Sequence, residues 1–353
     1  MNTRRLPVYL VIDCSESMVG PAFDAVQNGI QTLINEIYFD PVALETVALS
    51  VITFSANAKV AVPLTDIALF QKPKLVLGSG TSLGLALDLL SSRLKKEVKT
   101  QTKEIKGDWK PIVFILTDGN PTDTWFNSAD RFKAEVTGKQ ANVIAVACGP
   151  EVQISNLRRI TDTTLAFKNP TEISFTHFFK WVSQSVQTTS KRFHANPNAA
   201  ISLPNLPDCI EMVTEDFHVD YGKSVFIMGR CSRTKGLYIM KYEKVPENII
   251  LEIKQKGIPL PLNNELYAGI ESYPIVDFDF AADGKFPTLT VSSDALVIPP
   301  SCPYCSNKKW AFDSDCGNIF CIGEPGRYTC PWCGETDDYS LTDEAFDVEH
   351  RMG

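Results

Sequence analysis

Several features are scarce in this chain of 353 residues, and each scarcity removes a class of function. Histidine occurs only 4 times, scattered and outside any nucleophile motif, which leaves Ser–His and Cys–His catalysis without a base. No G-x-S-x-G elbow is present. The glycine-rich stretch LGSGTSLG, 77–84, lacks the Lys-Ser/Thr ending of a P-loop, so nucleotide hydrolysis has no support. No apolar run is long enough to span a bilayer, and the opening MNTRRLPVYLVID has no signal-peptide cleavage pattern. The cytoplasm is therefore the expected location, with no membrane partner. Positive charge is also short: 34 Lys and Arg stand against 42 Asp and Glu, a net charge of −8. Nucleic acid consequently lacks a global electrostatic attraction.

The length exceeds one ordinary core, which implies two or three domains. The first part alternates strand and helix. VYLVID is a continuous apolar run, as in a strand buried on both faces. Phe23, Val26, Ile30, Leu33, Ile34 and Ile37 then follow helical spacing. VALSVITFS and AKVAVPL read as a hairpin, PIVFILTDG and NVIAVACG as buried strands, and FTHFFKWVSQSVQTT as a closing helix. This pattern predicts an α/β fold, a doubly wound, mostly parallel sheet with one antiparallel edge, over residues 1–195. Residues 196–208 are rich in Pro and Asn and read as a linker. Short strands follow in a small β-rich module, 209–300, in which NIILEIKQ is expected to be a strand. A Cys-rich region, 301–336, and an acidic tail, 337–353, complete the chain.

Three strand ends or loops bear oxygen-rich side chains. Asp13, Ser15 and Ser17 alternate directly after the first strand, Thr81 opens a helix behind glycines, and Asp118 ends the apolar strand PIVFILT. Ligands of open parallel sheets sit beyond such carboxyl ends. Three hydroxyls and two carboxylates form a hard oxygen set, suited to Mg²⁺ or Mn²⁺. The motifs D-x-S-x-S (DCSES), Gly80-Thr81 and TDG (117–119) together resemble the von Willebrand factor A domain and its metal-ion-dependent adhesion site. That resemblance implies near-direct metal coordination by Ser15, Ser17 and Thr81, with Asp13 and Asp118 acting through water and hydrogen bonds. It also implies a metal that completes its octahedron with a partner protein's Asp or Glu.

Ten cysteines fall unevenly. Cys14 and Cys148 lie on or beside core strands and read as small hydrophobes. CPYC at Cys302 and Cys305 and CPWC at Cys330 and Cys333 are two C-x-x-C knuckles, expected to share one structural Zn²⁺ in a four-thiolate zinc-ribbon-like site. Cys231, Cys316 and Cys321 are candidate ligands for a second zinc, whereas Cys209 and His218 read as structural residues. An A domain followed by a β-rich segment and CPYC…CPWCG resembles the TerY-like proteins of bacterial tellurite-resistance and stress systems. The resemblance implies a non-enzymatic adaptor working with a Ser/Thr protein kinase and a PP2C-type phosphatase, with no catalytic residue of its own.

Two other readings compete. Asp13 could act as a phosphatase-type nucleophile with Asp118 on its metal, but no phosphate-anchoring base is evident and Ser15 and Ser17 have no role. The zinc region, with Lys308, Lys309 and Arg327, could contact nucleic acid, yet an acidic tail follows it.

Overall fold

The computed structural model describes residues 4–103, 106–118, 120–149, 152–196, 199–213, 224–256, 265–279, 289–340 and 345–350. The described residues form two compact units, one running to residue 213 and the other from 224 to 350. No helix among the described residues is long and apolar enough to cross a membrane.

In the first unit, β1 (Leu6–Asp13) is buried along its entire length, the outcome expected of a continuous apolar run in a parallel sheet. It is flanked by β2 (Val47–Phe54) and, across the register Val8–Ile112 to Ile12–Leu116, by β5 (Ile112–Thr117), both parallel to it. The edge strand β3 (Ala58–Asp66) is antiparallel to β2, as the hairpin predicts. A two-residue strand β4 (Leu77–Gly78) precedes the Thr81 loop. Beyond β5 come β6 (Asn142–Ala147), β7 (Thr164–Phe167) and β8 (Ile210–Met212), in sheet order β3-β2-β1-β5-β6-β7-β8.

Helices α1 (Pro21–Tyr38), α2 (Pro41–Thr46) and α6 (Glu172–Ala195) pack on one another. Their close approach is set at Gly29, where any Cβ would enter the Phe179 ring at 1.9 Å. Phe114 of β5 meets Phe178 and Trp181 of α6 edge to face. Its neighbours Val113 and Ile115 point the other way, into a core with α3 (Leu83–Glu97), α4 (Phe126–Glu135) and α5 (Ile154–Arg158). Both sheet faces are thus covered, which fixes β1 and β5 rigidly beneath the loops they carry.

Two expected boundaries shift. Strand β8 pairs antiparallel with β7, so residues 210–212 close the first sheet instead of opening the second module. The expected linker folds back on α6, where Trp181 Nε1 donates to the Pro204 carbonyl at 3.1 Å and Ser202 hydrogen-bonds Thr189 through backbone N–H and C=O.

The second unit is built on β9 (Val225–Arg230), β10 (Leu237–Lys244), β11 (Tyr267–Ile275), β14 (Leu296–Val297), β15 (Lys309–Asp313) and β16 (Asn318–Ile322). They form one sheet of order β14-β11-β10-β9-β16-β15. Because β16 pairs with β9, the expected β-rich module and Cys-rich region share a single sheet. Glu247–Gln255, expected to be a strand, is helix α7. Short strands β12 (Phe278–Asp279) and β13 (Leu289–Ser292) follow β11. The acidic tail is not a free end: β17 (Gly326–Thr329) pairs with β18 (Thr336–Tyr339), and β13 pairs with β19 (Asp347–His350). Val348 is buried, and Phe346 stacks on Phe312.

Candidate metal centres

The first site lies where β1 and β5 end. Asp13 closes β1 and is fully buried. One of its carboxylate oxygens accepts the Ser15 backbone N–H at 2.9 Å and the other the Thr117 hydroxyl at 2.5 Å. Ser15 Oγ and Ser17 Oγ share a hydrogen bond of 2.9 Å, and Ser17 Oγ donates to Asp118 Oδ1 at 2.7 Å. The alternation in D-x-S-x-S therefore sets the two hydroxyls side by side, with Ser17 reaching the Asp118 carboxylate that follows β5, 101 residues away.

Thr81 comes from a third loop. Gly80 adopts φ 72°, a left-handed conformation that glycine allows readily, and its N–H donates to the Glu16 carboxylate at 2.7 Å. The Thr81 main chain is clamped by Thr122, with Thr81 N donating to Thr122 Oγ1 and Thr122 N to Thr81 O, both at 2.9 Å. Its side-chain oxygen is buried and has no hydrogen-bond partner among the described residues. A buried hydroxyl left unpaired costs about 1–3 kcal/mol, so a native site that keeps one calls for an explanation. A divalent cation supplies it, because a hydroxyl oxygen is an ordinary ligand for Mg²⁺. Burial also pushes Asp13 up to about 6 despite the hydrogen bonds from Thr117 and Ser15 that favour its anion. A cation would offset that burial cost. The five residues singled out in the sequence thus lie on three loops at one end of one sheet; Gly119 of the TDG motif lies outside the described residues.

Sulfur-rich centres occupy the second unit. Cys231, Cys302, Cys305 and Cys321 form one cluster, and Asp313, Cys316, Cys330 and Cys333 form another. Ligand atoms within each lie within 4.8 Å of one another. Tetrahedral zinc with bonds of about 2.3 Å requires sulfurs about 3.8 Å apart; Cys305–Cys321 and Cys316–Cys330 measure 3.4 and 3.8 Å. The single site expected from Cys302, Cys305, Cys330 and Cys333 is therefore corrected: the two C-x-x-C knuckles belong to different centres. The physical reason is the β9–β16 pairing, which sets Cys231 at the end of β9 and Cys321 on β16 beside the first knuckle. Cys231, Cys316 and Cys321, expected only as additional candidates, are full members. Cys209 belongs to neither and donates to the Ser174 carbonyl; His218 lies outside the described residues.

Asp313 is the residue sequence reasoning missed. Four turns of one design hold seven of the eight ligands, Cys321 standing on β16: Cys231–Lys235, Cys302–Ser306, Asp313–Gly317 and Cys330–Gly334. In each, the fifth residue's N–H donates to the first residue's carbonyl, at 2.9, 2.8, 2.7 and 3.0 Å. That fifth residue has positive φ in every case: 62° at Lys235, 61° at Ser306, 70° at Gly317 and 89° at Gly334. Sulfur of the first residue accepts nearby N–H groups, as Thr234 N donates to Cys231 Sγ and Trp332 N to Cys330 Sγ, both at 3.4 Å. Asp313 Oδ1 accepts from Asp315 N at 2.9 Å and Cys316 N at 3.2 Å, so its oxygen stands where the other turns place sulfur. The signal was present in the sequence: D-x-x-C-G at 313–317 repeats C-x-x-C-G at 330–334 with its first ligand changed.

Burial opposes ionisation of both Cys231 and Asp313. Hydrogen bonds from the Thr234 side chain and the Thr234 and Arg233 backbone nonetheless lower the Cys231 thiol to about 6. Donors from Cys330, Cys316, Cys333 and Asp315 lower Asp313 to about 2. Each centre thus includes a group held in its metal-ligating, anionic form.

A doubly wound sheet bearing D-x-S-x-S, Thr and Asp loops at its carboxyl edge, joined to a thiolate-rich β unit, defines a two-part metal-binding protein. Residues 8–181 match the von Willebrand factor type A domain family, and residues 222–353 match the TerY-C metal binding domain family. The chain accordingly joins a von Willebrand factor A domain to a TerY-C metal-binding domain.

Among solved structures it is similar to proximal thread matrix protein 1 from the mussel byssus, at 18% identity and TM-score 0.38, over 52% of this chain and 48% of that one. This chain therefore spans about half the length of that relative. It is also similar to BatB from Bacteroides thetaiotaomicron, at 14% identity and TM-score 0.36, over 53% of this chain and 99% of that one. A von Willebrand factor type A protein from Catenulispora acidiphila matches at 12% identity and TM-score 0.37, over 68% and 62% of the two chains. No curated protein matches the sequence.

Proposed function

We propose that this protein is a non-enzymatic adaptor that captures a partner protein through Mg²⁺ or Mn²⁺ held by Ser15, Ser17 and Thr81, with Asp13 and Asp118 supporting the ion. The observation that carries this reading is the buried, unpartnered Thr81 hydroxyl, on a loop that the Gly80 N–H ties to Glu16 between Ser15 and Ser17 of the Ser15–Ser17–Asp118 chain. With few anionic ligands from the protein, the bound ion would retain affinity for a carboxylate. The partner is then a protein that presents an Asp or Glu. Candidates are a Ser/Thr protein kinase and a PP2C-type phosphatase acting with it in a bacterial stress-signalling set of the tellurite-resistance kind, in the cytoplasm. Zn²⁺ is the metal proposed for both sulfur-rich centres, since thiolates select soft or borderline cations and the sulfur spacing suits tetrahedral coordination.

The Asp13 oxygens are engaged by Ser15 and Thr117, and among the described residues no base is hydrogen-bonded to Asp13, which supports an interaction role over a phosphatase. The test is titration of Mn²⁺ into wild type and Asp118→Ala, followed by co-precipitation of purified kinase and phosphatase candidates with Mg²⁺ or with EDTA. Capture by wild type with Mg²⁺ alone supports the proposal. Equal capture under all conditions would move the interaction surface away from this site.

A further inference from the structure

The two sulfur-rich centres differ in ways that bear on metal exchange. Cys231, Cys302 and Cys321 are buried and Cys305 is half-buried, and all four ligands are thiolates. In the other centre Cys333 is exposed and one of the four ligands is the Asp313 carboxylate. Carboxylate oxygen is a harder donor than thiolate and suits Mg²⁺, Ca²⁺ and Mn²⁺ better than zinc-type cations.

Asp313 also has other partners ready. Oδ1 accepts the Asp315 and Cys316 N–H groups, while Oδ2 accepts the Tyr339 hydroxyl at 3.1 Å and the Cys333 thiol at 3.4 Å. When the carboxylate lets go of a metal it therefore remains hydrogen-bonded, and the usual desolvation penalty of an abandoned buried ligand is reduced. Exposed Cys333 gives an incoming chelator or acceptor protein a point of attack.

The surroundings connect this centre to one element. Cys330 and Cys333 lie between β17 and β18, two strands that among the described residues pair only with each other. Besides the metal ligands, that ribbon is anchored by Trp332 Nε1 donating to the Ile319 carbonyl at 2.7 Å and by Tyr339 on Asp313 and against Phe320. Arg230 also stacks over Trp332 at 4.4 Å.

We infer that the Asp313, Cys316, Cys330, Cys333 centre is an exchangeable zinc site with Asp313 as the ligand that yields, whereas the Cys231, Cys302, Cys305, Cys321 centre holds its ion permanently. This rests on the zinc reading above. Its occupancy is linked to docking of the β17–β18 ribbon, so zinc supply acts on one local element of an otherwise folded unit.

The experiment uses the full chain carrying zinc, its content first measured by mass spectrometry; fewer than two equivalents would overturn the zinc reading itself. The protein is then mixed with excess 4-(2-pyridylazo)resorcinol and release is followed by absorbance. Two phases of equal amplitude are expected, separated at least about tenfold in rate, a difference of roughly 1.4 kcal/mol in barrier. Asp313→Cys should slow the fast phase towards the slow one, and Cys305→Asp should speed the slow one. A single phase, or a fast phase unchanged by Asp313→Cys, overturns the proposal. Should either variant fold poorly, Co²⁺ substitution of the wild type decides independently. Its thiolate charge-transfer band should correspond to seven sulfurs over two ions, and a band corresponding to eight sulfurs, or to four on one ion alone, overturns the assignment.

Discussion

The two halves of this protein approach metal binding from opposite directions. In the first unit the ligands are placed by strands β1 and β5, both buried along their full length, and hydrogen bonds link Asp13 to Ser15, Ser15 to Ser17 and Ser17 to Asp118. In the second, eight ligands hold together short strands and turns, and Lys235 and Ser306 adopt a left-handed conformation that costs a non-glycine residue about 1 kcal/mol or more. A covered parallel sheet positions its loops through its own packed core. A small β unit with little helix needs metal as part of its core.

The sharpest way to break this contrast is to strip all metal. Strong chelation should unfold the region of β15 to β18, because structural zinc contributes on the order of 10 kcal/mol, while β1 and β5 keep their amide protection. Hydrogen exchange read strand by strand checks both halves of the statement. Equal protection loss in the two units would show that they do not differ in this way.

A core truncation should reverse the pattern. Phe114→Ala removes a fully buried ring packed on Phe178 and Trp181, and should destabilise the first unit by about 3–5 kcal/mol. Zinc content of the second unit should be unchanged, which denaturant melts combined with metal analysis would show.

Smaller in energy but more telling is Thr81→Val. Removing a buried, unpaired hydroxyl should stabilise the metal-free first unit by about 1 kcal/mol, while Mn²⁺ affinity falls at least about tenfold. A loss of stability without metal would mean that the hydroxyl has a structural partner.

The smallest effect is on pH. Burial raises Asp13 from the usual carboxylate range to about 6 in the folded, metal-free unit. The folded state therefore holds this proton more tightly than the unfolded chain. As pH falls from 7 through 6 towards 4, this group adds to stability, and the gain is lost again as pH rises. Metal binding displaces the proton, so Mn²⁺ affinity should weaken by up to about tenfold per pH unit below 6. Calorimetric titration at pH 7 and pH 5 checks the sign.

How much was legible depended on how local the information was. D-x-S-x-S, Gly-Thr and TDG each announce a loop after or near a strand, and the alternating pattern specified the sheet that brings them together. In helix α7, Ile249, Ile250 and Leu251 form an unbroken apolar run that suggests a strand yet is compatible with either period; the structure buries Ile250 and exposes its two neighbours. The charge of the tail suggests a solvated end, but Phe346 and Val348 are enough to draw it into the core. Asp313 escapes a pattern of cysteines because its turn places oxygen where the others place sulfur.

By itself the sequence determined the doubly wound fold, the five oxygen-bearing residues at its carboxyl edge and the two C-x-x-C turns. Those depend on periodicity and on spacings of two or three residues, which are local properties of the chain. Only the tertiary structure decided which turn shares a centre with which. That choice rests on Ile319 and Phe320 of β16 lying beside Gly229 and Arg230 of β9, a pairing across some 90 residues that no short pattern encodes.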